Sequence, residues 1–254
     1  MPGDFNEAIF MKGNFMEKES GEKGALLAFL QEVEALHFQP TTLKSGRVSP
    51  YFFNSGRFRT GGQLARLGEY YAQTIARVAP KATIVFGPAY KGIPLCVAAA
   101  MALSRLTGRE IGYLFDRKEV KEHGDGGMFV GRAPEAGESL VMVDDVITDG
   151  GTKLDAVARL RAAFPAPIDA LVIAFNRQET DAEGHDAVAR FESATGVPLA
   201  SLLSVADLEA LLESQHGEGT SASIIPDAPT VLEAIREYRR RYGVVPDGTP
   251  GSVG

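Results

Sequence analysis

Apolar residues follow two spacings in the first part of the chain, one typical of helices and one typical of strands. Between Gly24 and His37 they recur every third or fourth position, which predicts a helix. From Thr41 to Asn54, β-branched and aromatic residues surround Ser45-Gly46, which predicts a hairpin or paired strands. A second helix is expected from Gln63 to Val78, because Pro80 ends the pattern.

Short apolar runs alternate with helical patterns through the middle of the chain. The predicted strands are Ala82–Phe86, Ile111–Phe115, Ser139–Val143, Ala170–Phe175 and Pro198–Leu203, and the predicted helices are Ile93–Leu106, Lys153–Phe164 and Ala206–Ser214. Strands that are apolar throughout and alternate with amphipathic helices are typical of a parallel sheet covered on both faces.

The C-terminal part of the sequence predicts a loop followed by one more helix. Glycine and serine are frequent from His216 to Pro229, which indicates a surface loop. Thr230 and Glu233 have the spacing of a capping box, so the final helix is expected to begin there. The basic run Arg239–Arg241 suits the C-terminal end of that helix.

The composition is that of a soluble globular protein, with 44% hydrophobic and 23% charged residues. A formal net charge of −7 disfavours a nucleic-acid partner, because proteins that bind nucleic acids are usually basic. No run approaches the roughly 18 unbroken apolar residues of a membrane span, and the acidic N-terminus does not resemble a secretory signal. Cys96, the single cysteine, lies in an apolar run, so we expect a buried, inert thiol. A single cysteine that cannot form an internal disulfide suits a cytoplasmic location. The lack of an apolar span predicts that the protein has no membrane partner.

The segment Val141–Thr152 joins an apolar strand to two acids, a turn of small residues and a helix. In open α/β sheets, ligands bind at the carboxyl ends of the strands. Gly150 and Gly151 allow backbone N–H groups to approach a phosphate, and the helix N-terminus adds partial positive charge. Asp144 and Asp145 would repel phosphate, but carboxylates can accept hydrogen bonds from sugar hydroxyls. The simpler alternative is a helix cap beside two surface acids.

This segment resembles the signature with which type I phosphoribosyltransferases bind phosphoribosyl pyrophosphate (PRPP). The resemblance implies that Asp144 and Asp145 hold the ribose 2′- and 3′-hydroxyls and that the next residues hold the 5-phosphate. The residues implied in that loop are Val146, Ile147, Thr148, Asp149, Gly150, Gly151 and Thr152. The orotate branch of the family usually reads Thr-Ala-Gly-Thr-Ala here. Asp149 departs from that pattern and adds a negative charge near the phosphate unless its side chain points away.

The segment Phe86–Gly92 also ends a strand and opens a helix. Its two glycines have the spacing of a nucleotide P-loop, but Ile93-Pro94 stand where a P-loop needs Lys and Ser or Thr, which excludes that motif. The segment resembles the pyrophosphate loop of the same family, which often holds a non-proline cis peptide bond. The resemblance places Tyr90 and Lys91 at PRPP. Taken alone, the segment also fits an ordinary turn with a solvated lysine.

The segment Phe115–Gly127 is basic and then rich in glycine. Its positive or titratable groups are Arg117, Lys118, Lys121 and His123. A mobile basic loop can cover a leaving pyrophosphate and neutralise its charge, whereas most charge runs are simply solvated. The segment closely resembles the flexible catalytic loop of the orotate phosphoribosyltransferases. The resemblance implies that all four residues contact PRPP and that Lys121 and His123, together with Asp145, are catalytic.

The base site is implied by two further segments. Leu43–Asn54 is similar to the N-terminal hood of the orotate enzymes, which implies that Lys44, Phe52 and Phe53 bind orotate and that Lys44 also contacts PRPP. From the residues alone, an aromatic hairpin with a packing role is the better interpretation.

Arg177 follows the predicted strand Ala170–Phe175. A guanidinium can bind the carboxylate that distinguishes orotate from uracil and the purines. In the orotate family, the matching arginine has that role, with help from the threonine that matches Thr148. The alternative is a surface ion pair, for instance with Glu179.

The resemblance covers about Lys23 to Gly243. It implies an α/β fold: a Rossmann-like type I phosphoribosyltransferase core, with a parallel sheet flanked by helices, plus a small N-terminal hood. The expected organisation is a disordered extension at 1–22, a hood at about 23–80, a core at about 82–203, C-terminal helices at about 204–243 and a tail at 244–254. The implied cofactor is Mg²⁺, held through PRPP and by no protein side chain directly. The implied assembly is a homodimer in which the basic loop completes the partner's site.

Two other functions fit parts of the sequence. The first is a phosphoribosyltransferase for a purine or uracil, which Arg177, Lys44 and the basic loop disfavour. The second is a non-catalytic regulator that senses PRPP or nucleotides and binds nucleic acid. The acidic net charge and the retained basic loop disfavour it.

Overall fold

The computed structural model describes residues 21–121, 127–148, 150–181, 183–214, 225 and 227–244, with the side chains of 119–121 left aside. His123, Asp149 and the side chain of Lys121 therefore lie outside the described residues, as do nearly all of the loop expected at 216–229 and the tail. Of the extension expected at 1–22, only the last two residues are described, and they are helical.

The N-terminal part consists of two helices with short paired strands between them. Helix α1 covers residues 21–32. The strands β1 (Leu36–His37) and β4 (Phe52–Phe53) pair antiparallel, as do β2 (Thr41–Thr42) and β3 (Val48–Ser49). A 3-10 turn (Ser55–Arg57) leads to α2 (Gly61–Val78).

The prediction that the first helix runs to His37 is wrong. Glu34 has a φ of 56°, which takes the chain out of the helix and turns Leu36 and His37 into a strand. The paired strands expected between Thr41 and Asn54 are present, and the partner of β4 is this unexpected strand β1.

One six-stranded sheet forms the centre of the fold. Its strands are β5 (Ile84–Gly87), β6 (Gly112–Lys121), β7 (Gly127–Gly131), β8 (Leu140–Val146), β9 (Ile168–Asn176) and β10 (Leu199–Ser204). Their spatial order is β10-β9-β8-β5-β6-β7. Every neighbouring pair is parallel except β6 and β7, so the fully parallel sheet predicted from the sequence gains one antiparallel edge strand.

Five helices follow the first two and cover the sheet. They are α3 (Gly92–Thr107), α4 (Gly151–Ala163), α5 (Ala187–Thr195), α6 (Val205–Ser214) and α7 (Ala228–Tyr242). Helix α5 was not predicted. Helix α7 begins before Thr230, with Asp227 at its N-cap, so the predicted capping box of Thr230 and Glu233 is wrong. No helix within the described ranges has the length and apolar character needed to span a membrane.

The two faces of the sheet have separate cores. Along β8, Val141 and Val143 contribute to the cluster shared with α2, α3, α6 and α7, whereas Leu140 and Met142 contribute to the cluster shared with α4 and α5. Successive side chains of a strand point to opposite faces, which explains why this strand is apolar throughout. The polar residues that follow the apolar run therefore lie at the carboxyl edge of the sheet, where β5, β8 and β9 end side by side.

Candidate active site

Two buried acids close the central strand β8. Asp144 and Asp145 are 5% and 6% exposed, and each carboxylate is paired with a lysine from a different element. The Nζ atom of Lys153, in the first turn of α4, lies 2.6 Å from Oδ2 of Asp144. The Nζ atom of Lys91, just before α3, lies 2.9 Å from Oδ2 of Asp145. The same oxygen of Asp145 accepts a hydrogen bond of 2.6 Å from the Ser55 hydroxyl.

The two carboxylates differ in their acidity. Burial raises the pKa of Asp144, and the neighbouring Asp145 raises it further, against the opposing charge of Lys153. Burial also acts to raise the pKa of Asp145, but the hydrogen bonds from Lys91 and Ser55 outweigh it and leave this pKa below its usual value. Asp145 is therefore the more firmly ionised of the pair, whereas the charge on Asp144 depends on its lysine.

The turn after β8 leads into the start of α4. Gly150 is the N-cap of α4, with a φ of 79°, a conformation that other residues adopt at a cost. Thr148, Gly151 and Thr152 are exposed around it, while Ile147 is buried in the core. Exposed hydroxyls at the positive end of a helix form a suitable site for a phosphate.

The segment between β5 and α3 crosses itself closely. A Cβ atom on Gly87 would lie 2.1 Å from the carbonyl oxygen of Gly92, so no larger residue fits there. The peptide bond between Ala89 and Tyr90 is cis, as the family resemblance implied. The Ala89 N–H donates to Oδ1 of Asp116 at 2.8 Å, which ties this segment to β6.

Asp116 joins three elements of the site. Its second oxygen, Oδ2, lies 2.7 Å from Nη2 of Arg159 on α4. The carboxylate of this buried residue thus connects β6, the β5–α3 segment and the helix whose N-terminus faces the expected phosphate. The three predicted motifs are consequently held in fixed relation to one another.

The basic segment is only partly a loop. Strand β6 extends to Lys121 and pairs with β7, which begins at Gly127. The Arg117 guanidinium donates to the Gly127 carbonyl at 3.1 Å. The Lys118 ammonium lies 5.4 Å from the centre of the Tyr90 ring, which is 70% exposed. The structure therefore brings one basic side chain of this segment close to the β5–α3 segment.

Arg177 lies immediately beyond β9, and its ion pair is buried. Its Nη2 atom donates to Oε1 of Glu179 at 2.6 Å and to the Ser49 hydroxyl at 3.1 Å. The two charged side chains are only 13% and 10% exposed. The ion pair with Glu179 that the sequence suggested is therefore present, but it is buried and does not lie on the surface. The Tyr51 and Tyr238 hydroxyls also donate to Glu179, at 2.8 and 3.2 Å.

The expected hood residues are placed differently from one another. Phe53 is buried with its ring stacked on Phe175 at 5.7 Å, so it serves the core, whereas Phe52 is half-buried beside His37. Lys44 is exposed in the turn between β2 and β3. No described contact joins it to Arg177.

Several residues of the site were not predicted from the sequence, because their partners are distant along the chain. They are Ser49, Ser55, Asp116, Lys153, Arg159 and Tyr238. Lys153 alone has a local signal. A lysine in the first turn of a helix opposes the helix dipole, which indicates that an anion lies nearby.

The family model and the similar proteins all point to phosphoribosyltransferases. The phosphoribosyl transferase domain family matches residues 60–201. The orotate phosphoribosyltransferase of Methylococcus capsulatus is 44% identical over 85% of this chain and 94% of its own length. That of Thioalkalivibrio sulfidiphilus is 44% identical over 86% of this chain and 96% of its own.

Solved structures agree with this comparison. The crystal structure of orotate phosphoribosyltransferase from Francisella tularensis has a TM-score of 0.69 and 34% identity, and the match covers 85% of this chain and 97% of the other. An orotate phosphoribosyltransferase from Mycobacterium tuberculosis in complex with PRPP has a TM-score of 0.54 at 20% identity, covering 73% and 98%, which supports the fold alone.

Proposed function

The chain belongs to the phosphoribosyl transferase family and, within it, to the orotate phosphoribosyltransferases, and from that premise we propose how its residues carry out the reaction. The enzyme transfers the 5-phosphoribosyl group of PRPP to orotate and releases pyrophosphate. The product is orotidine 5′-monophosphate, an intermediate of pyrimidine biosynthesis. N1 of orotate attacks C1 of the ribose while the bond to pyrophosphate breaks, and no covalent bond to the enzyme is needed.

The observation that carries the proposal is the placement of two different receptors on adjacent strands. Strands β8 and β9 are parallel neighbours, with Val146 opposite Phe175. The acids that suit ribose hydroxyls end β8, and the guanidinium that suits the orotate carboxylate follows β9 directly. A base held by Arg177 therefore lies beside a ribose held by Asp144 and Asp145, which is the arrangement that attack on C1 requires.

The phosphate ends of PRPP are assigned to two segments. We assign the 5-phosphate to the turn at Thr148, Gly150, Gly151 and Thr152, where the start of α4 contributes its dipole. We assign the pyrophosphate to Tyr90, Lys91, Arg117 and Lys118, with Lys121 and His123, whose side chains lie outside the described residues. Lys91 is 65% exposed in its ion pair with Asp145, so it can turn from that carboxylate to the incoming pyrophosphate.

We assign orotate to Arg177, to Thr148, which follows the ribose acids in the sequence, and to three residues of the hood. The hood residues are Lys44, Phe52 and Phe53. The Phe53 ring packs in the core, so its backbone at the end of β4 is the part that can contact the base. Lys44 is exposed in the turn between β2 and β3, and we assign it to the base and to PRPP from the hood side. The described hydrogen bonds of Arg177 to Ser49 and Glu179 both use Nη2, and the positive charge of the guanidinium suits the substrate carboxylate.

Phosphoribosyltransferases generally use Mg²⁺ together with PRPP, and the residues of this site fit an ion that enters with the substrate. Asp144 and Asp145 are each paired with a lysine and do not form a metal-binding cluster. Among the described residues, the group of potential metal ligands is Asp181, Glu183 and His185, which contains neither acid. An ion that enters with PRPP would neutralise the charge of the leaving pyrophosphate.

We further propose that the enzyme acts as a homodimer. Met101 and Leu106 on α3 and Tyr113 on β6 are large apolar side chains that are 57%, 55% and 43% exposed. Exposed apolar side chains on neighbouring elements favour an interface. Strand β6 also carries the basic segment, so an interface at this face would bring that segment towards a partner's site.

The test of the proposed function is a turnover assay with PRPP and Mg²⁺ and one base at a time: orotate, uracil, hypoxanthine or adenine. We expect rapid release of pyrophosphate with orotate only. Turnover of uracil or a purine at a similar rate would contradict the assignment of Arg177. A shift of nucleic acid in a gel-shift assay, together with no turnover of any base, would instead support the nucleic-acid-binding alternative.

A further inference from the structure

We propose that Lys153 is a positioning residue for PRPP, because its ammonium holds the Asp144 carboxylate charged and oriented for a ribose hydroxyl. This inference rests on the proposed ribose-binding role of Asp144. It adds a residue that the phosphate-loop motif does not contain.

The first observation is the geometry of the pair. Lys153 and Asp144 come from different elements, α4 and β8, and their side chains are 12% and 7% exposed, with 2.6 Å between Nζ and Oδ2. The other oxygen, Oδ1, accepts a hydrogen bond from the Asp145 N–H at 2.9 Å. The carbonyl of Asp144 accepts one from the buried Tyr71 hydroxyl at 2.7 Å. The carboxylate is therefore fixed on both sides, and Lys153 supplies the only side-chain cation described on it.

The second observation is that the position of Lys153 is otherwise unfavourable. It is the third residue of α4, where the partial positive charge of the helix N-terminus repels a cation. The first turn of this helix contains no acidic residue that could compensate. Burial of the ammonium adds a further cost. The direct pair with Asp144, together with the charge of the neighbouring Asp145, accounts for this placement.

The charged and titratable groups around Asp144 show what the lysine does. Asp145 lies next to it on β8, Lys91 reaches Asp145 from the segment before α3, and Tyr71 approaches from α2. Burial raises the pKa of Asp144, Asp145 adds to that effect, and Lys153 opposes it. If Lys153 lost its charge, Asp144 would become protonated at a higher pH. A protonated carboxyl has lost acceptor capacity that the ribose hydroxyls require.

The experiment compares Lys153→Met, which removes the charge, with Lys153→Arg, which keeps it. Lys23→Met is the matched control, because Lys23 and Asp207 form a Lys–Asp pair of 2.9 Å outside the site. The Michaelis constant for PRPP, that for orotate, and kcat are measured from acid to alkaline pH. Binding of PRPP without orotate is measured by calorimetry on the same proteins.

For Lys153→Met we expect PRPP binding to weaken as the pH falls, by about tenfold per pH unit below the pKa of Asp144. This weakening should begin at a higher pH than it does in the wild type, because the pKa of Asp144 is higher without the lysine. Alkaline pH should restore the binding of PRPP. The value of kcat at saturating PRPP and the Michaelis constant for orotate should change much less than the binding of PRPP. Lys153→Arg should follow the wild type, as should Lys23→Met.

Two results would overturn the inference. One is a pH profile of PRPP binding in Lys153→Met that superimposes on the wild-type profile. The other is a loss that is the same at every pH, which would indicate structural damage and not a carboxyl titration. If Lys153→Met does not fold, Lys153→Gln is measured in its place. Calorimetry separates this inference from the proposed function, since a wild-type protein that binds PRPP but does not use orotate would contradict only the latter.

Discussion

Arg177 and Glu179 form a buried ion pair, with 2.6 Å between Nη2 and Oε1, at the end of the strand next to the paired acids. Glu179 also accepts hydrogen bonds from Tyr51 in the N-terminal part and from Tyr238 on α7. The guanidinium lies 4.8 Å from the centre of the Tyr51 ring. The expected receptor for orotate is thus held in place by a carboxylate that connects the hood to the C-terminal helix.

This relationship predicts that Arg177→Ala has two separable effects. Loss of the guanidinium should weaken the use of orotate by about 2–5 kcal/mol, the range for removing one partner of a buried charge pair. It should also lower the free energy of unfolding by roughly 3–5 kcal/mol, because Glu179 is left buried and unpaired. Steady-state kinetics with orotate and denaturant unfolding measure the two effects.

The double variant Arg177→Ala with Glu179→Gln separates these effects. Removing the unpaired charge should recover much of the stability but none of the orotate use. Arg241→Ala, which breaks an exposed pair with Glu237, is the control and should change stability by less than about 1 kcal/mol. Unaltered orotate kinetics in Arg177→Ala would show that another residue binds the orotate carboxylate.

We predict that activity needs a divalent metal ion that the enzyme does not retain by itself. Asp144 and Asp145 are neutralised by Lys153 and Lys91, so the described part of the site offers no set of free carboxylates to chelate the ion before PRPP arrives. Metal analysis after dialysis, followed by assays with and without added Mg²⁺, tests this. One metal ion per chain surviving dialysis would contradict the prediction.

We predict that the active site is shared between two chains, with Lys121 of one chain acting on PRPP bound to the other. Lys121→Ala and Asp145→Asn should each be inactive alone. After subunit exchange, activity should return to roughly a quarter of the wild type, because about half of the dimers are mixed and each has one complete site of two. If mass spectrometry confirms exchange and activity does not return, the basic segment acts within its own chain.

Cys96 should be inert in the folded protein. Burial raises the pKa of its thiol to about 12, so almost no thiolate is present at neutral or mildly alkaline pH. Alkylation with iodoacetamide at about pH 8 should therefore be negligible in the native state and rapid after unfolding, as judged by intact mass. Rapid native alkylation that leaves the structure intact would show that the thiol is accessible.

The sequence determined the order of most of the helices and sheet strands and the positions of the motifs, because both are local properties. The apolar run of β8 followed by Asp144 and Asp145 is visible in consecutive residues, and so is the small-residue turn at Gly150. In a parallel sheet the carboxyl ends of the strands meet at one edge, so the common location of these motifs also followed from the pattern.

The local sequence patterns did not predict two strands that form through pairing with other strands. The strand at Leu36 and His37 forms through its pairing with Phe52 and Phe53, although the helical spacing continues through it. Strand β7 was not predicted, and it forms because β6 continues beyond the sheet core and offers it a partner. The strand that pairs with β1 is not its neighbour in the sequence, so spacing alone could not indicate β1.

Only the tertiary structure decided how the charges of the site are balanced. The pairing of Lys153 with Asp144 and of Lys91 with Asp145 depends on which side chains the sheet and helices bring within hydrogen-bond distance. The pair of Arg177 and Glu179 is visible in the sequence, but its burial is decided by the fold. A charge in a sequence is expected to be solvated, because water stabilises it at no structural cost. Burial removes that water, and a partner of opposite charge must then be supplied by the fold.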